Sequence, residues 1–190
     1  MGGRTVNTAR GGHDHGAWPR RGARRWLAAA LLAGALPASA QWGIVIEHPP
    51  EVLSPIKVAL AHDQQGNSLR VYRDDDSRIV ALLTIHGGFT EFAPDSCPTI
   101  QIDEQAPLVV TKGEAPCELQ PRTARFLLGK VEERDIRSRV LLGLINGTRI
   151  RVRYRLAGAL GYREFELSLR GSRQSLYAAI GNVNVIDEAP

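Results

Sequence analysis

The chain has 190 residues, 43% hydrophobic and 23% charged, with 19 glycines, 11 prolines and two cysteines, which excludes collagen-like, cysteine-dense and wholly disordered classes. The formal charge is +4, yet residues 1–40 hold six arginines against one acid, while the other 150 residues hold 18 basic and 19 acidic side chains. The basicity therefore sits in the leader, and nucleic acid is not an expected partner of the nearly neutral body.

Arg20, Arg21, Arg24 and Arg25 stand directly before the eleven uncharged residues 26–36, which are followed by Pro37 and then Ala38-Ser39-Ala40. A positive n-region, a short apolar h-region and small residues at −3 and −1 are the parts of a secretory signal, so residues 1–40 are expected to be a cleaved signal peptide. As a helix the apolar stretch would rise about 16 Å against roughly 30 Å of hydrocarbon, too little for a permanent anchor. Arg24-Arg25-Trp26-Leu27 has a twin-arginine look, so both general and twin-arginine export stay open. An organellar leader, or a start chosen too far upstream, is the competing account of His13, Asp14 and His15. No later run reaches membrane-spanning length, so no transmembrane segment is expected after cleavage, and the localisation expected is periplasmic or secreted.

Residues 41–50 read as an N-terminal extension with a short strand, broken by Pro49-Pro50, and residues 51–190 as a single β-rich domain. Ile56, Val58 and Leu60 alternate with Lys57, Ala59 and Ala61, the period of a strand with one buried face. Turn chemistry at 63–67 leads to Leu69 and Val71 alternating with Arg70 and Tyr72. Asp74-Asp75-Asp76-Ser77 is a second turn, and Ile79 to Ile85 is apolar enough for a strand covered on both faces. Polar turns this short imply an antiparallel meander, because parallel neighbours need longer crossovers.

Cys97 and Cys117 lack Cys-x-x-Cys spacing and an accompanying histidine cluster; an even count in an exported chain reads as one structural disulfide. Closing about 20 residues would contribute roughly 3 kcal/mol in the chain-entropy model. In a reducing compartment the two would be free thiols. Within that loop Thr99–Asp103 reads as a strand and Leu108-Val109-Val110 as another, and Arg125 to Val131 forms the next apolar run.

Residues 138–147 admit two readings. Val140, Leu141, Leu144 and Ile145 share a helical face between a Ser138 cap and a left-handed Gly147, whereas Asn146-Gly147 is also a hairpin signal. The helix is preferred because Gly143 weakens a strand. Ile150, Val152, Tyr154 and Leu156 then face one way, and Arg149, Arg151, Arg153 and Arg155 the other. With a turn at 157–160, opposed residues sum to 317, which sets Arg153 against Glu164 and Arg151 against Glu166. Ser172 is expected to cap a short helix that carries Leu176, Tyr177 and Ile180 and ends at Gly181. The fold class expected is mainly β, a single antiparallel sandwich or partly open barrel with two short helices near the C-terminus.

The layout from Phe92 through Cys97-Pro98-Thr99 and Cys117, a helix ending at Gly147, then Ser168-Leu169-Arg170-Gly171 leading into a helix with Leu176, resembles the invasion-associated locus B family of exported bacterial proteins. Trp42 departs from that family's pattern, having no cysteine near it. The resemblance implies a small periplasmic β domain and assigns no functional residue.

Gly-x-Ser-x-Gly, P-loop, dinucleotide-binding and His-Glu-x-x-His motifs do not occur in the chain, and no catalytic residue, metal site or cofactor is expected. His62 and His86 end strands and would need a carboxylate brought to them to act as an acid and base pair. Asp74-Asp75-Asp76 lacks calcium-loop spacing and reads as a solvated turn. The sequon Asn146-Gly147-Thr148 is better explained by the end of a helix. Arg149, Arg151, Arg153 and Arg155 are the candidate surface for an anionic ligand, an envelope component or an acidic protein, with cross-strand pairing to Glu164 and Glu166 as the plain alternative. The functional expectation is an exported, non-catalytic binding or envelope-associated domain of unknown ligand. An enzyme built on His62 and His86, or a purely structural envelope protein, would be the alternatives.

Overall fold

The meander expected between Ile56 and Ile85 forms the middle of the larger of two antiparallel sheets in the computed structural model, which describes residues 42–50, 52–88, 90–108 and 117–187. The leader and Val109-Val110 lie outside the described residues. Six strands run in the order β1 (Gly43–Glu47), β2 (Ile56–His62), β3 (Ser68–Arg73), β4 (Arg78–Thr84), β7 (Thr123–Lys130) and β6 (Cys117–Leu119). The second sheet is β10 (Tyr162–Ser168), β9 (Arg149–Arg155) and β5 (Thr99–Ile102). Helices α1 (Arg139–Asn146) and α2 (Ser172–Ile180) and a parallel pair, β8 (Asp135–Arg137) with β11 (Asn184–Ile186), complete the described elements. The sheets have free edges and do not close into a barrel; the arrangement is that of a sandwich.

One continuous core fills the space between the sheets. Leu69, Val71, Ile79, Ala81, Leu83 and Phe126 from the large sheet meet Ile100, Ile150, Val152, Phe165 and Leu167 from the small one, and Leu144, Leu176 and Ile180 close it from the helices. In β2 it is Ala59 and Ala61 that enter this core rather than Ile56, Val58 and Leu60. The physical reason is α2, which packs on β2 and β3, where methyl-sized side chains leave room for a helix. Val58 turns to the opposite face and forms a second cluster with Tyr72 and Val80, so β4 is covered on both sides as its apolar run suggested.

The segment expected as an extension is stitched into the sheet. β1 pairs with β2 from Gly43↔Leu60 to Glu47↔Ile56, and the buried Trp42 donates its indole N–H to the Ser168 carbonyl at 2.8 Å. Residues 138–147 form a helix, with the Ser138 hydroxyl accepting from Leu141 N, and no hairpin. Gly147, expected in the left-handed region, has φ −76° and ψ 177° instead; its value is space, because a Cβ there would lie 2.7 Å from the Gly143 carbonyl oxygen. Ser172 is not the cap of α2. That position belongs to Gly171, left-handed at φ 86°, while the buried Ser172 hydroxyl donates to the Leu144 carbonyl at 2.6 Å and ties α2 to α1. Gly181 ends α2 as expected, its N–H bonding to the Tyr177 carbonyl.

The cysteines form a disulfide with their Cα atoms 6.4 Å apart. Cys97 lies two residues before β5 and Cys117 opens β6, so the bond ties the loop leading into an edge strand of the small sheet to an edge strand of the large one. Leu108 bridges to Ile100 beside it. No helix among the described residues is long and apolar enough to cross a membrane.

Candidate functional site

Alternation and register place the arginine row. Ile150, Val152 and Tyr154 point into the core, so Arg149, Arg151, Arg153 and Arg155 stand on the outer face of β9, the middle strand of the small sheet. β10 pairs with β9 through Tyr162↔Arg155, Glu164↔Arg153 and Glu166↔Arg151, the register set by the short turn between them. On the other side β5 brings Thr99 opposite Arg153 and Gln101 opposite Arg151. Beneath the row, Tyr154 makes edge contacts with Phe92 and Phe165 at centroid separations of 5.5 and 6.0 Å. Burial raises the Tyr154 phenol above its ordinary range.

Each of the four guanidinium groups has an acidic neighbour, but the contacts differ in kind. Arg151 Nε donates to Glu166 at 2.8 Å, and this hydrogen bond, followed by the carboxylate's charge, raises the Arg151 pKa. Arg151 also reaches Gln101 Oε1 at 3.5 Å. Arg149 lies 3.8 Å from Glu166 and 4.0 Å from Glu104, Arg153 lies 3.7 Å from Glu164, and Arg155 lies 3.7 Å from Asp95. These three are ion pairs too long for a hydrogen bond, and among the described residues no side-chain hydrogen bond from them occurs. The Arg153 guanidinium stacks 4.2 Å above the Tyr162 ring, which is itself 56% exposed.

A shallow groove of about 400 Å³ lies across the centre of this face, lined by Thr99, Gln101, Pro107, Arg151, Arg153, Tyr162 and Glu164. Tyr162, Thr99 and Gln101 were not singled out in the sequence. The hairpin register already aligned Tyr162 with Arg155, so its outward placement was available from alternation; β5 has no comparable local signal.

The other candidates come apart. Neither the His62 nor the His86 ring makes a hydrogen bond or ion pair with a carboxylate among the described residues, and no group of three metal-binding side chains occurs there. Asp74, expected in a solvated turn, is buried; its carboxylate accepts from Asp76 N, Arg78 N and Arg78 Nε. Asp75 accepts from Leu53 N and Asp76 pairs with Arg78 at 3.0 Å, so protein donors already engage all three acids. Asn146 is the last residue of α1, and its side-chain oxygen accepts from Arg173.

Comparison of the chain with protein-family models, curated proteins and solved structures finds no significant match.

Proposed function

We propose that the protein is exported, losing residues 1–40, and acts outside the cytosol as a non-catalytic domain whose outer β5–β9–β10 face binds an anionic component of the cell envelope. The observation that carries this reading is the state of the row: of four guanidinium groups, three lack a side-chain hydrogen bond among the described residues, and all four side chains are 39–54% exposed. A guanidinium presents five N–H donors in a planar fork suited to phosphate and carboxylate, and the neighbouring carboxylates hold the fork in place while leaving donors to solvent. The leader, the paired cysteines and the near-neutral body support an exported setting. The order of helix, two-stranded hairpin and helix around Gly147 and Ser168–Gly171 supports a place in the invasion-associated locus B family as part of the same reading.

The first test is retention of the mature protein on neutral phospholipid vesicles carrying lipopolysaccharide, compared with the same vesicles without it. The wild type is expected to be retained selectively, and Arg149→Gln/Arg155→Gln to lose at least about tenfold in affinity, as for lost hydrogen bonds to a charged group. Equal retention of both proteins would remove the row from the function. Mass spectrometry of protein from cells tests export: a terminus at Gln41 and two missing hydrogens are expected, and an intact Met1 with alkylatable thiols would overturn it.

A further inference from the structure

We infer that the groove at the centre of this face recognises an acidic sugar unit rather than bare negative charge, an inference that rests on the binding role proposed for the arginine row. A pyranose presents two kinds of surface at once: a C–H face that sheds water against a flat ring, and an edge of hydroxyls that both donate and accept hydrogen bonds. A carboxylate or phosphate substituent adds two or more strong acceptors. The groove supplies all three complements within a few side chains.

Tyr162 provides the flat ring. It is one of the few large apolar side chains on the described surface, at 56% exposure, and sits on an otherwise polar sheet face. Arg153 occupies one side of it, with its guanidinium 4.2 Å from the ring centroid, which fixes both groups. That stacking is the second requirement: Arg153 is held over the ring, yet its separation from Glu164 is 3.7 Å, and among the described residues it forms no side-chain hydrogen bond. An acidic substituent can take this fork bidentately without displacing a hydrogen bond already made. Gln101 and Thr99, aligned with Arg151 and Arg153 by the β5–β9 register, together with the Glu164 carboxylate, give the mixture of donors and acceptors that hydroxyls need. A site for phosphate alone would need neither the exposed ring nor an acceptor such as Glu164, which sugar hydroxyls can use.

Three water-soluble probes separate these possibilities by calorimetry at low salt: an oligogalacturonate, a neutral maltooligosaccharide of equal length, and tripolyphosphate. The oligogalacturonate is expected to bind at least about fivefold more tightly than either of the others, the scale of an aromatic contact. Tyr162→Ala should remove that preference, lowering oligogalacturonate affinity by more than tripolyphosphate affinity, and Tyr162→Phe should retain it. Both variants lie on the surface, and thermal melts matching the wild type will establish that they fold. Equal binding of the two anions, with Tyr162→Ala indistinguishable from wild type, would overturn the sugar inference and leave the arginine row as a charge-reading surface. Failure of the wild type to bind either anion would overturn both readings.

Discussion

Breaking the Cys97–Cys117 bond is the perturbation whose cost follows most directly from the topology. The bond closes a separation of 20 residues and links the loop before β5 in one sheet to the first residue of β6 in the other. For a loop of that length the chain-entropy model gives about 3 kcal/mol of stabilisation, from restriction of the unfolded chain. The native state also loses a support, because among the described residues the ladder of β6 with β7 is only three residue pairs, from Cys117↔Phe126 to Leu119↔Ala124. Urea unfolding of Cys97→Ala/Cys117→Ala, compared with oxidised and reduced wild type, measures the effect. The double variant and the reduced protein are expected to agree, each about 3 kcal/mol less stable than the oxidised form, a fall of roughly 6–12 °C in Tm for a domain of this size. The urea dependence should steepen, since the uncrosslinked unfolded chain exposes more surface. A loss below about 1 kcal/mol would refute the argument that this bond is a principal tie between the sheets.

Other perturbations probe the turns and the helix junction. Asp74→Ala removes a buried carboxylate that accepts three hydrogen bonds, and should cost about 2–3 kcal/mol in urea unfolding; a loss under about 0.5 kcal/mol would mean that the β3–β4 turn holds without it. Gly143 and Gly147 both border Ile102, with different room to yield. A Cβ at 143 meets the Ile102 Cδ1 at 2.8 Å, whereas one at 147 is also 2.7 Å from the Gly143 carbonyl oxygen and 2.9 Å from Asp103 Oδ2. Gly143→Ala should cost about 1 kcal/mol after the gain in helix propensity, and Gly147→Ala about 3 kcal/mol, an order that thermal melts can check. The Asp103 carboxyl is held below its ordinary pKa by the Thr148 hydroxyl first and then by the Thr148 and Arg149 backbone N–H groups. A depressed folded pKa contributes stability above the ordinary carboxylate range that is lost as pH falls through the folded value. The stability difference between wild type and Asp103→Asn should therefore be flat near neutrality and shrink as pH falls below the ordinary carboxylate range of about 4, and a difference independent of pH would contradict this.

What was legible in the sequence was short-range. The β9–β10 hairpin came out in register because a short turn fixes antiparallel partners and a strict alternation of apolar and charged residues fixes the faces; a slip by one would have buried Arg151 and Arg153. Helix α1 was readable from four apolar residues on one face and a capping serine. The pairing of β5 with β9 was not, because about fifty residues separate Gln101 from Arg151 and nothing in either strand names the other. The parallel β8–β11 pair has three residues a side, too few for a period to register. Alternation in β2 was visible but its sense was not: the larger side chains Val58 and Leu60 looked like the core face until a helix took the space over Ala59 and Ala61. The candidate groove divides the same way, with its hairpin half inferable and its β5 half visible only once the sheet is assembled.

The chemistry of the arginine row follows from a balance between repulsion and saturation. Alternate residues on a strand face stand roughly 7 Å apart, so four uncompensated guanidinium groups along β9 would repel one another and strain the hairpin. Glu104, Glu164, Glu166 and Asp95 cancel that repulsion by proximity, at separations of 2.8–4.0 Å, while among the described residues a side-chain hydrogen bond to a carboxylate forms only at Arg151. Exposed pairs of this kind are worth about 0–1 kcal/mol each, so an incoming acidic group can exchange with them at small cost and still find donors to fill. The body's net charge of −1 supplies no long-range field to draw an anion in. Selectivity on this face must then come from short-range geometry, which is why Tyr162 and Arg153, fixed against each other, matter more to recognition than the number of arginines in the row.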